Sequence, residues 1–79
     1  MRLRVASGHV ARRIRQNKNL SLRDVSQTAG ISIAHLSEFE RGIKEMSSEL
    51  FLDLCKALEV RQSEFMLEAC RVLAKGEQR

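Results

Sequence analysis

The chain has 79 residues, 43% hydrophobic and 30% charged, with a net charge of +4. This is one globular domain, short enough to bury only about 60–65% of its unfolded surface and therefore marginal without a partner copy. No proline, tryptophan or tyrosine occurs and β-branched residues are scattered, which excludes alternating strand patterns and favours an all-α fold.

Residues 1–6, MRLRVA, read as a basic N-terminal arm, although nothing in them excludes an extension of the first helix. The domain proper is expected over 7–75. A first helix over 7–17 turns Val10, Ala11 and Ile14 inward, and NKNLS breaks it. Ser21 then offers an N-cap with Asp24 at the third helical position, close to a capping box. The second helix, 22–29, places Leu22, Val25 and Ala29 at helical spacing.

Gly30 ends that helix, because the left-handed C-terminal conformation is costly for any residue with a Cβ. Ile31 anchors the turn, Ser32 caps a third helix over 33–41 with Leu36 and Phe39 inward, and Gly42 ends it. Two short helices joined by a glycine turn over 22–41 form a helix-turn-helix. The pattern alone is equally compatible with a structural corner between helices.

Ser47 caps a fourth helix over 48–59, in which Phe51, Leu54, Cys55 and Leu58 make one apolar stripe. A fifth helix over 62–75 carries Phe65, Met66, Leu67, Ala69, Cys70, Val72, Leu73 and Ala74, too many for one face. Phe65, Met66, Ala69, Cys70 and Leu73 are therefore assigned to dimerisation with a second copy, and 76–79 to a polar tail.

Charge is unevenly spread. Residues 1–23 hold seven basic side chains (Arg2, Arg4, Arg12, Arg13, Arg15, Lys18, Arg23) and no acid; the remainder holds seven basic and ten acidic, a net of −3. Such asymmetry points to a polyanion, either nucleic acid or an anionic membrane. No apolar stretch can span a bilayer and MRLRVASGHV lacks a signal-peptide core, so a cytoplasmic protein is expected. Cys55 and Cys70 read as small buried hydrophobes, with no metal-ligand spacing. No nucleophile–base arrangement or apolar-set pair of carboxylates is evident, so neither an enzyme, a cofactor nor a small-molecule substrate is expected.

LSLRDVSQTAGIS, LSEFERG and LCKALEV together resemble the Xre/Cro/CI-type helix-turn-helix domain of bacterial and phage transcription regulators, over roughly residues 8–67. Within that family, RDVS, LSEFERG and KEMSSEL are similar to actinobacterial regulators of Clp protease genes. The resemblance implies a compact five-helix, lambda-repressor-like domain that binds double-stranded operator DNA as a two-fold homodimer. The third helix then enters the major groove, with Ser32, Ile33, Ala34, His35, Ser37 and Glu38 facing base edges. Ser21, Leu22 and Arg23 lie where a helix N-terminus meets a phosphate, and Arg41 and Lys44 grip the next phosphates. The resemblance also implies a partly buried ion pair between Arg15 and Glu40.

Two departures stand out. Leu22 replaces the glutamine that in many family members contacts a base and a phosphate, and the third helix has no arginine or glutamine on its base-facing side. Base readout is therefore sparse, with shape and backbone contacts carrying more. The competing expectation is a protein-interaction module of the same fold, such as an antitoxin or adaptor, or a restriction–modification controller protein.

Overall fold

Three serines start three of the five helices. In the computed structural model, which describes residues 1–77, the Ser21 hydroxyl oxygen accepts from the Asp24 amide at 3.0 Å, while the Ser21 amide donates to the Asp24 carboxylate at 2.8 Å. Both halves of a capping box are thus closed. Ser32 accepts from the His35 amide at 3.0 Å and Ser47 from the Leu50 amide at 3.2 Å. Each such cap contributes about 1 kcal/mol.

The helices are α1 (Leu3–Asn17), α2 (Leu22–Ala29), α3 (Ile33–Glu40), α4 (Ser48–Leu58) and α5 (Gln62–Glu77), with no strand among the described residues. Gly30 closes α2 at φ 71°, ψ 29°. Glu59, expected inside the fourth helix, instead takes the left-handed conformation at φ 55° and ends α4 at Leu58. Likewise α3 stops at Glu40, with Arg41 as its C-cap.

The ends of the chain differ from expectation. Residues 1–6 are not an arm: α1 begins at Leu3, and Ala6 is wholly buried. Leu3, Ala6 and Val10 continue the apolar spacing of α1 one turn further back, so the helix lies along α5. At the other end Gly76 and Glu77, expected in the polar tail, belong to α5; residues 78–79 of that tail lie outside the described residues.

The core gathers Val10, Ala11, Val25, Ile31, Leu36, Phe39, Leu54, Cys55, Leu58, Phe65 and Ala69 from all five helices and the α2–α3 turn. Phe51 meets Phe65 edge-to-face at 4.9 Å between ring centres. This corrects the reading of the fifth helix. Phe65 and Ala69, assigned to a dimer face, are wholly buried in the chain's own core. Only Met66 and Cys70 of the five are exposed, and Leu73 is half-buried. The cysteines also part company: Cys55 is a core residue whose thiol burial pushes up to about 11, but Cys70 is exposed, and both are free.

Gly8 sets the crossing of α1 over α3. A Cβ there would stand 2.6 Å from the Glu40 carbonyl oxygen, with the Phe39 carbonyl closer still. Only a residue without a side chain lets the two backbones meet. Two turns on, Arg15 rises from the same face of α1 towards the same end of α3.

Candidate nucleic-acid interface

The α2–α3 corner is held from within. The Gly30 amide donates to the Ser26 carbonyl at 2.9 Å, the Ser26 hydroxyl donates to the Ile31 carbonyl, and Ile31 is buried beneath the turn. The left-handed Gly30 redirects the chain, and Ser32 restarts it as α3. The second helix of the motif is thereby fixed to the first.

A bidentate ion pair fixes it to α1 as well. Arg15 Nε donates to Glu40 Oε2 at 2.7 Å and Nη2 to Oε1 at 3.0 Å, while Nη1 donates to the Leu20 carbonyl at 2.8 Å. The two side chains are 12% and 9% exposed. The hydrogen bond to Glu40 raises the Arg15 pKa against the opposing effect of burial, so the guanidinium stays charged. One guanidinium thus joins α1, the turn before α2, and the end of α3.

The six candidate base readers on α3 stand in different surroundings. Ser32, Ile33 and Ala34 are exposed, Ile33 at 41%. The Ser32 oxygen is engaged as a cap, but its hydroxyl proton is free to donate. His35, Ser37 and Glu38 are half-buried. The His35 Nε2–H donates to the Glu45 carbonyl at 3.1 Å, a contact nothing in the sequence signals. The Glu38 carbonyl accepts from the amides of Ile43 at 2.9 Å and Lys44 at 3.3 Å.

At the N-terminus of α2 the amides of Leu22 and Arg23 have no partner within the helix. The Leu22 side chain is half-buried and part of the packing, while Arg23 is exposed. Asp24 complicates an anion site here. Its hydrogen bonds from the Ser21 backbone and hydroxyl hold its carboxyl below the ordinary value, so it stays ionised and offsets the positive helix end. Ser21 is engaged through both backbone and side chain.

Several charges that made the N-terminal third look basic have partners within the chain, most of them at its surface. Arg13 pairs with Glu68 at 2.9 Å, Glu68 also holds Arg71 at 2.6 Å, and Lys18 donates to the Glu59 carbonyl at 3.3 Å. With Arg15 held by Glu40, the unpaired exposed cations at the motif are Arg23, Arg41 and Lys44, among the described residues. No helix is long and apolar enough to cross a membrane, and no cluster of His, Cys, Asp or Glu is placed to hold a metal, among the described residues.

An open apolar hollow of about 260 Å³ lies where α1 begins, floored by Phe39 and Phe51 and rimmed by Leu3, Met46 and Met66. Arg4 and Glu45 line its polar side.

Comparison with known proteins follows the same outline. A helix-turn-helix family model matches residues 12–65. The chain is 40% identical over 75 residues to the transcriptional regulator ClgR of Mycobacterium tuberculosis, covering 95% of this chain and 67% of that protein. The crystal structure of the clp gene regulator ClgR from Corynebacterium glutamicum superposes with a TM-score of 0.90 at 35% identity, covering 99% of this chain and 84% of that one. The restriction–modification controller protein C.AhdI from Aeromonas hydrophila is similar at 28% identity and a TM-score of 0.75, covering 77% and 92%.

Proposed function

The chain belongs to the Xre-type helix-turn-helix family of transcription regulators, and on that premise we propose that it binds a two-fold operator as a homodimer, with α3 in the major groove. The observation that carries this reading is the exposed start of α3, Ser32–Ile33–Ala34, bordered in the chain by Arg23, Arg41 and Lys44, cations with no ion pair among the described residues. In this arrangement Ser32 donates to a purine acceptor, and Ile33 and Ala34 meet thymine methyl groups. Arg23, Arg41 and Lys44 neutralise phosphates and set the register. Arg15 and Glu40 hold the angle between the helices and touch no DNA.

The second copy is proposed to cover the exposed side of α5. Met66, Cys70 and Leu73 recur at helical spacing there, and Met66 continues into the hollow rimmed by Leu3 and Met46. Half-sites then lie about one helical turn, roughly 34 Å, apart. Similarity to the clp gene regulators makes clp genes the first promoters to examine.

Sparse base readout favours one competing reading, a protein-interaction module of this fold. The deciding experiment is affinity for duplex DNA across a salt series, with molar mass by light scattering. A dimer whose log affinity falls steeply with log salt supports operator binding. A chain without duplex affinity at low salt favours the interaction module.

A further inference from the structure

We propose that His35 is a positioning residue: its ring ties α3 to the loop that follows and so holds Lys44 for a backbone phosphate, instead of reading a base. The inference rests on the DNA-binding reading above and assigns within it a role opposite to that expected of a polar residue on a reading helix.

The loop after α3 doubles back along the helix. The amides of Ile43 and Lys44 both donate to the Glu38 carbonyl, at 2.9 Å and 3.3 Å. One residue later the Glu45 carbonyl accepts from His35 Nε2 at 3.1 Å. His35 and Glu38 are three apart on α3 and share a face. Residues 43–45 therefore run back beside that face, tied at Glu38 and again at His35. Lys44 sits between the two ties, is exposed, and has no ion pair among the described residues.

The chemistry of the tie constrains the ring. A carbonyl oxygen can only accept, so Nε2 must carry a proton and direct it into the protein. That donor is then withdrawn from the groove, and only Nδ1 is left to face a base. His35 is half-buried, whereas Ile33 and Ala34 beside it are exposed. Residues 43–45 belong to no helix, although Met46 beyond them packs against the core. Without the His35 tie, Lys44 is held by its own longer bond at 3.3 Å and by that of its neighbour Ile43 at 2.9 Å. Arg41 is different, because its amide is part of the α3 terminus and donates to Ser37 at 3.1 Å.

The test measures binding of random-sequence duplex DNA, and of a duplex selected by the wild type from a random library, across a salt series. His35→Ala should make the salt slope shallower by about 0.9, one phosphate contact on B-form DNA. Lys44→Ala should do the same, and the double variant should lose no more than either single. His35→Gln, whose side-chain amide can donate to the same carbonyl, should restore the wild-type slope. The preference for the selected duplex should persist in all of them. If His35→Ala fails to fold, as judged by circular dichroism, His35→Met fills the space without a donor and is expected to behave as predicted for alanine. Loss of the preference with an unchanged slope makes His35 a base reader and overturns the inference, as do additive slope changes in the double variant. A folded wild type with no duplex affinity overturns the DNA-binding reading itself, and this inference with it.

Discussion

The guanidinium of Arg15 and the carboxylate of Glu40 meet through two hydrogen bonds, at 2.7 Å and 3.0 Å, in a site where neither side chain is more than 12% exposed. Removing one partner strands the other. Glu40→Ala is expected to cost about 3 kcal/mol, the lower end for a broken buried pair, because some solvent remains. At about 4–8 °C of melting temperature per kcal/mol in a domain of this size, the loss is easily read by calorimetry or urea unfolding. Replacing both, Arg15→Met with Glu40→Leu, should recover much of it. An unchanged unfolding midpoint in Glu40→Ala would show that the pair does not hold α1 to α3.

Two glycines should fail on substitution for different reasons. Gly8→Ala forces a methyl against the Phe39 and Glu40 carbonyls, backbone atoms that cannot rotate away. The overpacking cost of about 1–3 kcal/mol outweighs the gain of about 1 kcal/mol in helix propensity. Gly30 has nothing within 4 Å of its would-be Cβ, but its φ of +71° is unfavourable for a side chain. Gly30→Asn should therefore be milder than Gly30→Ala, since asparagine tolerates that conformation. Gly8→Asn should be worse than Gly8→Ala. Denaturation midpoints of the four variants check the contrast, and the same ranking at both positions would refute it.

The central motif was legible in the sequence because its determinants are local. Ser21 with Asp24, Gly30 and Ser32 each act within a few residues, and α2 runs over Leu22–Ala29, the span its spacing indicates. What was not legible depends on contacts distant in the chain. Residues 1–6 look like a basic arm until α5 is beside them to bury Ala6. Phe65 and Ala69 look like surplus apolar residues until α5 docks and consumes them. The charge excess of the first 23 residues loses Arg13 to Glu68 and Arg15 to Glu40, acids 55 and 25 positions away. His35 is read as a free polar side chain because its partner is a backbone carbonyl, which no residue type reveals.

Asp24 places structure and binding in opposition. Its carboxyl is held below the ordinary value by the Ser21 backbone and hydroxyl, so the charged form is favoured in the folded state. The sign follows: this contribution is present above the unfolded carboxylate range and is lost as pH falls through the depressed folded value. Asp24→Asn keeps a cap-like amide but carries no charge. The variant should show a flatter loss of stability on acidification than the wild type. It should also bind duplex DNA more tightly at low salt, because a negative charge has left the N-terminus of α2. Parallel acid titrations followed by circular dichroism, with binding isotherms at neutral pH, measure both; weaker binding by the variant would deny α2 a place against the phosphates.

The two cysteines offer a direct reading of the proposed dimer face. Cys55 is buried at 1% exposure and its thiol is pushed up to about 11, so almost no thiolate exists near neutral pH and little reagent reaches it. Cys70 is exposed on α5 in the single chain, between Met66 and Leu73 at helical spacing. In dilute protein Cys70 should react promptly with a thiol reagent, with Cys55 protected until unfolding. As concentration rises through the dimerisation range, Cys70 should become protected too, because the partner copy covers it. Met66→Lys, which puts a charge on the same face, should keep the chain monomeric and Cys70 reactive at every concentration. A dimer by light scattering in which Cys70 remains fully reactive would place the interface elsewhere on the molecule.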